Sequence, residues 1–360
     1  MPMRPDDATT LALNVRDMYV HAESLILEKL AKALAKSADT PDWLTGRLME
    51  QRRMIRELDS ILDALDRDVP GAVEKVTALA YNRGVGFANT DAKGAGISMS
   101  LAGEVRDTGT EIALARAAIE PLSAMRMQIR RWTFDVYARV GLLAAQAVAS
   151  GVETRRQASL RFLNQLGGRG VTGFIDRAGR SWEMGSYGEM VGRTTVAQAM
   201  LEGHADRIQD YGIDTVIVSN APEECKICQP FEGRILSISG RTTGTLSDGR
   251  VVMMSLAAAK GRGLFHPNCR HSHSIYLPGI TKGPGTDLAD PEGSALRQRQ
   301  RAYERSIREL KRKKIIADEL DPTAGKAAGS KLRAKQAEFK RWRDENDRKV
   351  QTHRTNFNKR

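Results

Sequence analysis

The sequence is poor in the residues that mark a large enzyme core, a disulfide scaffold or a membrane span. Only 5% of its 360 residues are aromatic and 28% are charged, a balance that suits long exposed helices better than a large enzyme core. Three cysteines, an odd number, favour reduced thiols or metal ligands over a disulfide framework. The best candidate for a membrane span, residues 140–149, is far shorter than the roughly 18 apolar residues that a span needs. The first ten residues show no signal peptide, so we expect a soluble protein made in a cytoplasm.

Positive charge is concentrated at the C-terminal end. The whole chain has a net charge of +12. Residues 295–360 contain 21 Lys/Arg and 9 Asp/Glu, whereas the rest of the chain contains 35 of each and is neutral. One terminal segment therefore carries the entire excess.

Both ends of the chain are predicted to be helical. Residues 1–168 form a helical N-terminal region, in which apolar residues recur at heptad spacing from Leu11 to Leu25 and from Leu44 to Leu65. These two stripes predict an antiparallel hairpin, packed within the chain or forming a seam for partner subunits. We expect the glycine-rich stretch Gly84 to Gly109 to be a mobile loop. Residues 294–360 read as a basic helical C-terminal arm, broken near Pro322 and Gly325.

The centre of the chain has a different texture. Residues 170–279 hold short β-branched runs, the clearest being Asp214 to Ser219 and Gly233 to Ser239, with a hairpin signal around Asp248-Gly249. A helix is expected over Ser186 to Ile208, with Ser186 as its cap. Residues 280–293 read as a linker. The predicted fold class is α+β: a small mixed α/β central domain between long N-terminal and C-terminal helical arms.

The central region also carries a cysteine and histidine constellation. Cys225-Lys-Ile-Cys228 is followed by His266-Pro-Asn-Cys269-Arg-His271-Ser-His273. Two such groups supply the soft ligands of a tetrahedral zinc ion. The predicted metal ligands are Cys225, Cys228 and Cys269 with one histidine, chosen from His266, His271 and His273.

Three interpretations of this cluster stay open at the level of sequence. It is a structural zinc site, a reduced metal-free cluster held by hydrogen bonds, or a thiol redox site. The redox interpretation is weakened by the acidic pair Glu223-Glu224 before Cys225, which disfavours a thiolate. The residue types also fit a zinc-dependent treble-clef-like nuclease, with histidine as general base and Asn268 orienting it. A second enzyme alternative, a transferase or hydrolase, would use the following residues of a helical stretch: Tyr187, Arg193, Thr194 and His204.

The order of motifs from Gly173 to Gly279 resembles the minor capsid protein family of tailed phages, related to the Mu F-type head morphogenesis proteins. The run His266-Pro-Asn-Cys-Arg-His271 is the most specific element of the likeness, and the tail beginning Arg297-Gln-Arg-Gln-Arg301 also resembles the family. The first 165 residues match only in being helical. The resemblance implies a non-enzymatic virion component, present in few copies inside the head near the portal. Such a protein assists assembly and DNA packaging or delivery, and is made in the host cytoplasm.

The basic C-terminal arm is the predicted nucleic-acid contact. Clustered Lys and Arg bind phosphate backbones by counterion release, without reading sequence. The alternatives are an acidic protein surface or a solvated helix whose acidic residues pair with its basic ones. The expected partners are therefore the portal, other capsid proteins and double-stranded DNA. The residues predicted to contact DNA are Arg297, Arg299, Arg301, Lys311, Arg312, Lys313 and Lys314.

Overall fold

A computed structural model describes residues 5–39, 43–98, 100, 103–104, 109–151, 153–172, 174–176, 179–221, 227–267, 269–284 and 291–357. Helices dominate, and short strands are confined to the middle of the chain, so the predicted α+β class is confirmed. The helices are α1 Pro5–Asp39, α2 Trp43–Gly94, α3 Thr110–Ala149, α4 Arg155–Gly167, α5 Met184–Asp210, α6 Leu256–Gly261, α7 Pro291–Leu320, α8 Pro322–Glu345 and α9 Thr352–Thr355. The strands are β1 Phe174–Ile175, β2 Ser181–Trp182, β3 Thr215–Val218, β4 Ile235–Ser237, β5 Gly244–Thr245, β6 Val251–Ser255 and β7 His273–Ile275.

Five of the strands form one mixed sheet in the order β5-β6-β4-β3-β7. The interior strand β3 pairs antiparallel with both β4 and β7, while β4 and β6 run parallel. All four residues of β3 are buried, as its β-branched sequence predicted. The predicted hairpin is present where β5 pairs antiparallel with β6. A small apolar cluster joins the strands: Ile217, Ile235, Val252 and Tyr276, with Leu246 packed against it.

The chain forms two compact units. Unit 1 comprises Met1–Asn14, Pro70–Glu120 and Glu189–Ser294, and unit 2 comprises Val15–Val69, Pro121–Gly188 and Ala295–Arg360. These units do not correspond to the segments predicted from the sequence, which are 1–168, 170–279, 280–293 and 294–360. The predicted segments stay a prediction. Each unit draws on more than one of those segments.

In unit 1 the first part of the glycine-rich stretch, Gly84 to Gly94, is not the loop that we expected, because α2 continues to Gly94. The reason is a close crossing with α5. A Cβ at Gly84 would overlap the carbonyl oxygen of Met200, and a Cβ at Gly203 would overlap that of Tyr81. These two glycines therefore let the helix backbones touch, a use of glycine that favours packing over flexibility.

This crossing gives a pair of substitutions with opposite signs. Gly84→Ala is expected to destabilise unit 1 by about 1–3 kcal/mol, because the new methyl group meets a backbone that must move. Gly86→Ala, two residues along the same helix, is expected to stabilise it by about 0.5–1 kcal/mol, since no atom lies within 4 Å of the added Cβ. Hydrogen exchange of peptides covering residues 70–94 would measure both effects, and equal shifts in the same direction would contradict the crossing.

In unit 2 the predicted antiparallel packing of the first two helices is present. Lys29 on α1 pairs with Glu57 on α2, Nζ to Oε2 3.1 Å, and Leu58 and Leu62 on the α2 stripe are buried. Leu48 was wrongly placed on the packed stripe, because it is 53% exposed.

The C-terminal helices form an aromatic-lined pair within unit 2. Tyr303 of α7 packs on Phe339 and Trp342 of α8, with ring centroids 5.4 and 5.3 Å apart. Asp321 caps α8 by accepting a hydrogen bond from Thr323 N–H at 2.8 Å. Pro322 therefore begins a helix, but the break predicted at Gly325 is wrong because that residue lies inside α8.

Two further boundaries differ from expectation, and one of them is the start of α7 at Pro291, inside the predicted linker 280–293. Helix α5 begins at Met184, so Ser186 lies inside the helix and is not its cap. Among the described residues, no helix is both long enough and apolar enough to cross a membrane.

Candidate metal centre and basic helices

The pairing of β3 with β7 brings the two cysteine-containing segments together. Val218 at the end of β3 lies opposite His273 at the start of β7. The next residues extend the contact, since Ser219 N–H donates to Ser272 O at 2.8 Å. In an antiparallel pair the segment after one strand lies beside the segment before the other. The loop holding Cys228 therefore meets the segment His266 to His271.

Three of the predicted ligands form one cluster. The ligand atoms of Cys228, His266 and Cys269 all lie within 4.8 Å of one another, and the two sulfur atoms are 3.5 Å apart. Two sulfurs bound tetrahedrally to zinc at about 2.3 Å would be separated by roughly 3.8 Å, so the observed spacing fits one shared ion. Cys228 is fully buried. Cys225, three residues before it, lies outside the described residues.

Hydrogen bonds orient two of these ligands. His266 Nδ1 lies 2.7 Å from the carbonyl oxygen of Pro267. A proton on Nδ1 donated to this oxygen leaves the Nε2 lone pair available to a metal, which is the usual outer contact of a ligating histidine. The Cys269 sulfur lies 3.4 Å from both the backbone nitrogen and the Nδ1 of His271. N–H donors of this kind stabilise a thiolate.

His271 is placed as a supporting residue rather than as a ligand of the three-residue cluster. Its Nε2 lies 2.5 Å from Glu232 Oε1, while its Nδ1 faces Cys269. Burial alone would lower the pKa of His271, but hydrogen bonds and charges from Cys269 and Glu232 outweigh it and raise the pKa. Burial would raise the pKa of Cys269, and contacts with His271 outweigh this and lower it. Both directions favour a thiolate beside an imidazolium.

His273 lies away from this cluster. Its Nδ1 is 3.1 Å from Nδ1 of His204, whose Nε2 is in turn 3.1 Å from Asp91 Oδ2. Burial lowers the pKa of His273 well below its ordinary value, and the charges of His204 and Lys260 add to this effect. Residues two apart on a strand share a face, so the sequence could not show which of His271 and His273 lies beside the cysteines.

Two residues of the second enzyme alternative make packing contacts. Tyr187 packs its ring on Phe174 and Trp182, with centroids 4.2 and 5.7 Å away, and Thr194 Oγ1 lies 3.9 Å from the Met190 sulfur. Asn268, the orienting residue of the nuclease alternative, lies outside the described residues. Glu232 was missed by sequence reasoning because no local spacing links it to His271.

On α7 most of the predicted DNA-contacting residues already have acidic or aromatic neighbours. Arg299 lies over the Trp342 ring at 6.0 Å, and Arg297 is half-buried. Lys311 donates a hydrogen bond to the backbone carbonyl oxygen of Thr355. The ion pairs are Arg301 with Glu304 at 3.9 Å, Lys313 with Glu309 at 2.5 Å and Lys314 with Asp318 at 2.5 Å.

Arg312 is buried, which excludes it as a surface contact. Its side chain is 3% exposed, and its Nε lies 3.2 Å from Oε1 of the fully buried Glu23. A second nitrogen pairs with Glu183. Glu23 also accepts hydrogen bonds from the backbone N–H groups of Val171 and Gly185, at 3.0 and 3.3 Å. This residue therefore belongs to the core of unit 2.

Cations of unit 2 also hold the C-terminal segment. The last turn of a helix leaves carbonyl groups with partial negative charge. Three consecutive carbonyls after α9 begins each accept a hydrogen bond from a basic side chain. The side chain of Arg308 donates to the carbonyl oxygen of Arg354 at 2.9 Å, that of Lys311 to Thr355 O at 2.7 Å, and that of Arg16 to Asn356 O at 2.9 Å.

The chain belongs to the phage minor capsid protein 2 family, whose sequence model matches residues 3–343. A curated relative described as "Structural protein" of Lactococcus phage LL-H is 24% identical over 206 residues. That alignment covers 56% of each chain, so this chain spans about half of the relative's length. No solved structure matches the chain.

Proposed function

We propose that the protein is a non-catalytic internal component of the phage head, placed near the portal, where it assists assembly and DNA packaging or delivery. The observation that carries this proposal is the family match over nearly the whole chain, which includes both units. The relative described as a structural protein supports a place in the virion. Assembly would follow synthesis in the host cytoplasm.

The location is tested on the particles of a phage that encodes this chain. Quantitative mass spectrometry of purified virions is expected to find the protein in few copies, protected from external protease until the heads are opened. Cross-linking in intact particles is expected to join it to the portal. Absence from virions of infected cells that contain the protein would overturn the proposal. Cross-links to the outer capsid surface would overturn only the internal position.

We also propose that one structural zinc ion joins the two segments of the Cys/His cluster. Cys228, His266 and Cys269 supply three ligands, and Cys225 supplies the fourth from the adjacent Cys-x-x-Cys sequence. The 3.5 Å spacing of the two described sulfurs supports this assignment. The ion would cross-link the loop after β3 to the segment before β7. A site with four protein ligands leaves no open position for a substrate, which favours a structural role over nuclease chemistry.

DNA contact through the basic C-terminal segment completes the proposed role. Charge alone supports it, because residues 295–360 hold the whole net excess of positive charge. Arg312 is left out of the contact because it is buried with Glu23 and Glu183. Removing the whole segment would also remove buried core residues such as Ile307, Ile316 and Leu320. Point substitutions therefore test this contact better than a truncation does.

A further inference from the structure

One exposed face of α8 carries a row of three long cations before the same spacing reaches the acidic Asp344. It carries Lys326, Ser330, Arg333, Ala337 and Lys340, spaced by three and four residues so that they lie on one side of the helix, and all five are exposed. We call this set the α8 basic face. The other side of α8 is turned into unit 2, where Gly325, Gly329 and Trp342 are buried. The face is therefore fixed toward solvent by the packing of its own helix.

The three long cations of this face are regularly spaced. Seven residues separate Lys326 from Arg333 and Arg333 from Lys340, which is about 10.5 Å along a helix. The row is thus about 21 Å long. Two more exposed cations of α8, Lys331 and Arg341, follow Ser330 and Lys340 directly and so lie on the same flank of the row.

Acidic residues do little to neutralise this charge. Helix α8 has seven basic and three acidic residues. Two of the acidic residues pair with cations outside the row, Glu338 with Lys335 at 2.6 Å and Asp344 with Arg343 at 3.4 Å. Within the described part of the chain, no ion pair involves Lys326 or Lys340. This contrasts with α7, whose predicted contact residues are mostly paired or buried.

The composition of the face matches a polyanion better than a protein partner. Between the cations stand only small side chains, Ser330 and Ala337, and no large apolar residue of α8 is exposed. A protein interface would normally offer aromatic or aliphatic anchors at its centre. Small residues let the helix backbone approach a row of phosphates while the long side chains reach to either side.

We infer that the α8 basic face is the surface by which this protein binds the phosphate backbone of double-stranded DNA, without reading base sequence. The inference rests on the proposed DNA contact of the C-terminal segment and assigns it to particular residues. It moves the contact from α7, where the sequence placed it, to the next helix. Each phosphate neutralised releases counterions, so affinity depends steeply on salt.

The test compares two full-length triple variants of equal charge. Lys326→Gln, Arg333→Gln and Lys340→Gln remove the row, whereas Arg52→Gln, Arg56→Gln and Arg139→Gln remove three other exposed cations of unit 2. Binding to a duplex of about 30 base pairs is measured by fluorescence anisotropy from 50 to 300 mM salt. The α8 triple is expected to bind about 100-fold more weakly at 0.1 M salt, with a log–log salt slope smaller by about 2.5–3. The matched triple should stay close to wild type.

The outcomes separate the face from the broader role. If wild type binds but the α8 triple binds equally well, the DNA contact lies elsewhere and the inference is wrong. Equal losses in both triples would reduce the effect to net charge, which also overturns it. If wild type fails to bind duplex at 50 mM salt, the proposed DNA contact itself fails. Competition by polyglutamate as effective as by DNA of equal charge would assign the face to an acidic protein instead.

Discussion

Arg312→Met is expected to lower the free energy of unfolding of unit 2 by about 3–5 kcal/mol, the cost of leaving a buried charge without its partner. The substitution removes the guanidinium from Glu23, which has no solvent exposure, and from Glu183. Methionine fills much of the same volume, so the loss is mainly electrostatic. Urea unfolding followed by tryptophan fluorescence would measure it, because all four tryptophans of the sequence fall within the ranges of unit 2.

Two companion variants separate this effect from a general loss of charge. Arg305→Met changes an exposed arginine on the same helix and is expected to shift stability by no more than about 0.5 kcal/mol. Glu23→Gln combined with Arg312→Met is expected to recover part of the loss, because glutamine is neutral and its oxygen still accepts from Val171 N–H. An Arg312→Met protein as stable as wild type would show that the buried pair adds nothing.

The second large effect concerns the metal centre. Protein purified without chelators is expected to contain about one zinc per chain, and Cys269→Ser is expected to abolish it. Cobalt substitution then distinguishes the two histidines. His266→Ala should change the visible spectrum, since it removes a ligand. His271→Gln should leave the spectrum of tetrahedral cobalt in place while weakening metal affinity about 10–100-fold, as loss of an outer hydrogen bond does.

Each histidine serves as the control for the other. Glu232→Gln is expected to behave like His271→Gln, because Glu232 acts on the metal only through that imidazole. A spectrum altered by His271→Gln and unchanged by His266→Ala would exchange their roles. Finding no metal at all would leave the cluster as a reduced, hydrogen-bonded one. A Cys228–Cys269 disulfide in peptide mapping without reductant would instead support the redox interpretation.

Local spacing was enough to predict part of the site. Cys228, His266 and Cys269 come together as predicted because each lies in a short motif and β3 and β7 pair. The role of His271 was beyond reach, because it depends on Glu232, a residue 39 positions away with no motif of its own. Strands rich in β-branched residues were also found near their predicted places.

Tertiary partners account for the expectations that failed. Gly84 looked like part of a loop because sequence cannot show that Met200 approaches its Cα. Arg312 looked like one of four similar cations in Lys311 to Lys314, although only this one meets a buried carboxylate 289 residues earlier in the chain. Helical periodicity says which residues share a face, but it does not say what covers that face.

The composition of unit 2 has a consequence for the order in which the protein can fold. Unit 2 joins Val15–Val69 with Ala295–Arg360, and its buried pair of Glu23 and Arg312 needs both ends of the chain. A ribosome must therefore synthesise Arg312 before α1 can meet its final partners. Until then the side of α1 that carries Glu23 lacks its C-terminal partner and is open to aggregation or to chaperones. The sheet-containing ranges of unit 1 end at Ser294 and are complete before most of α7 is made.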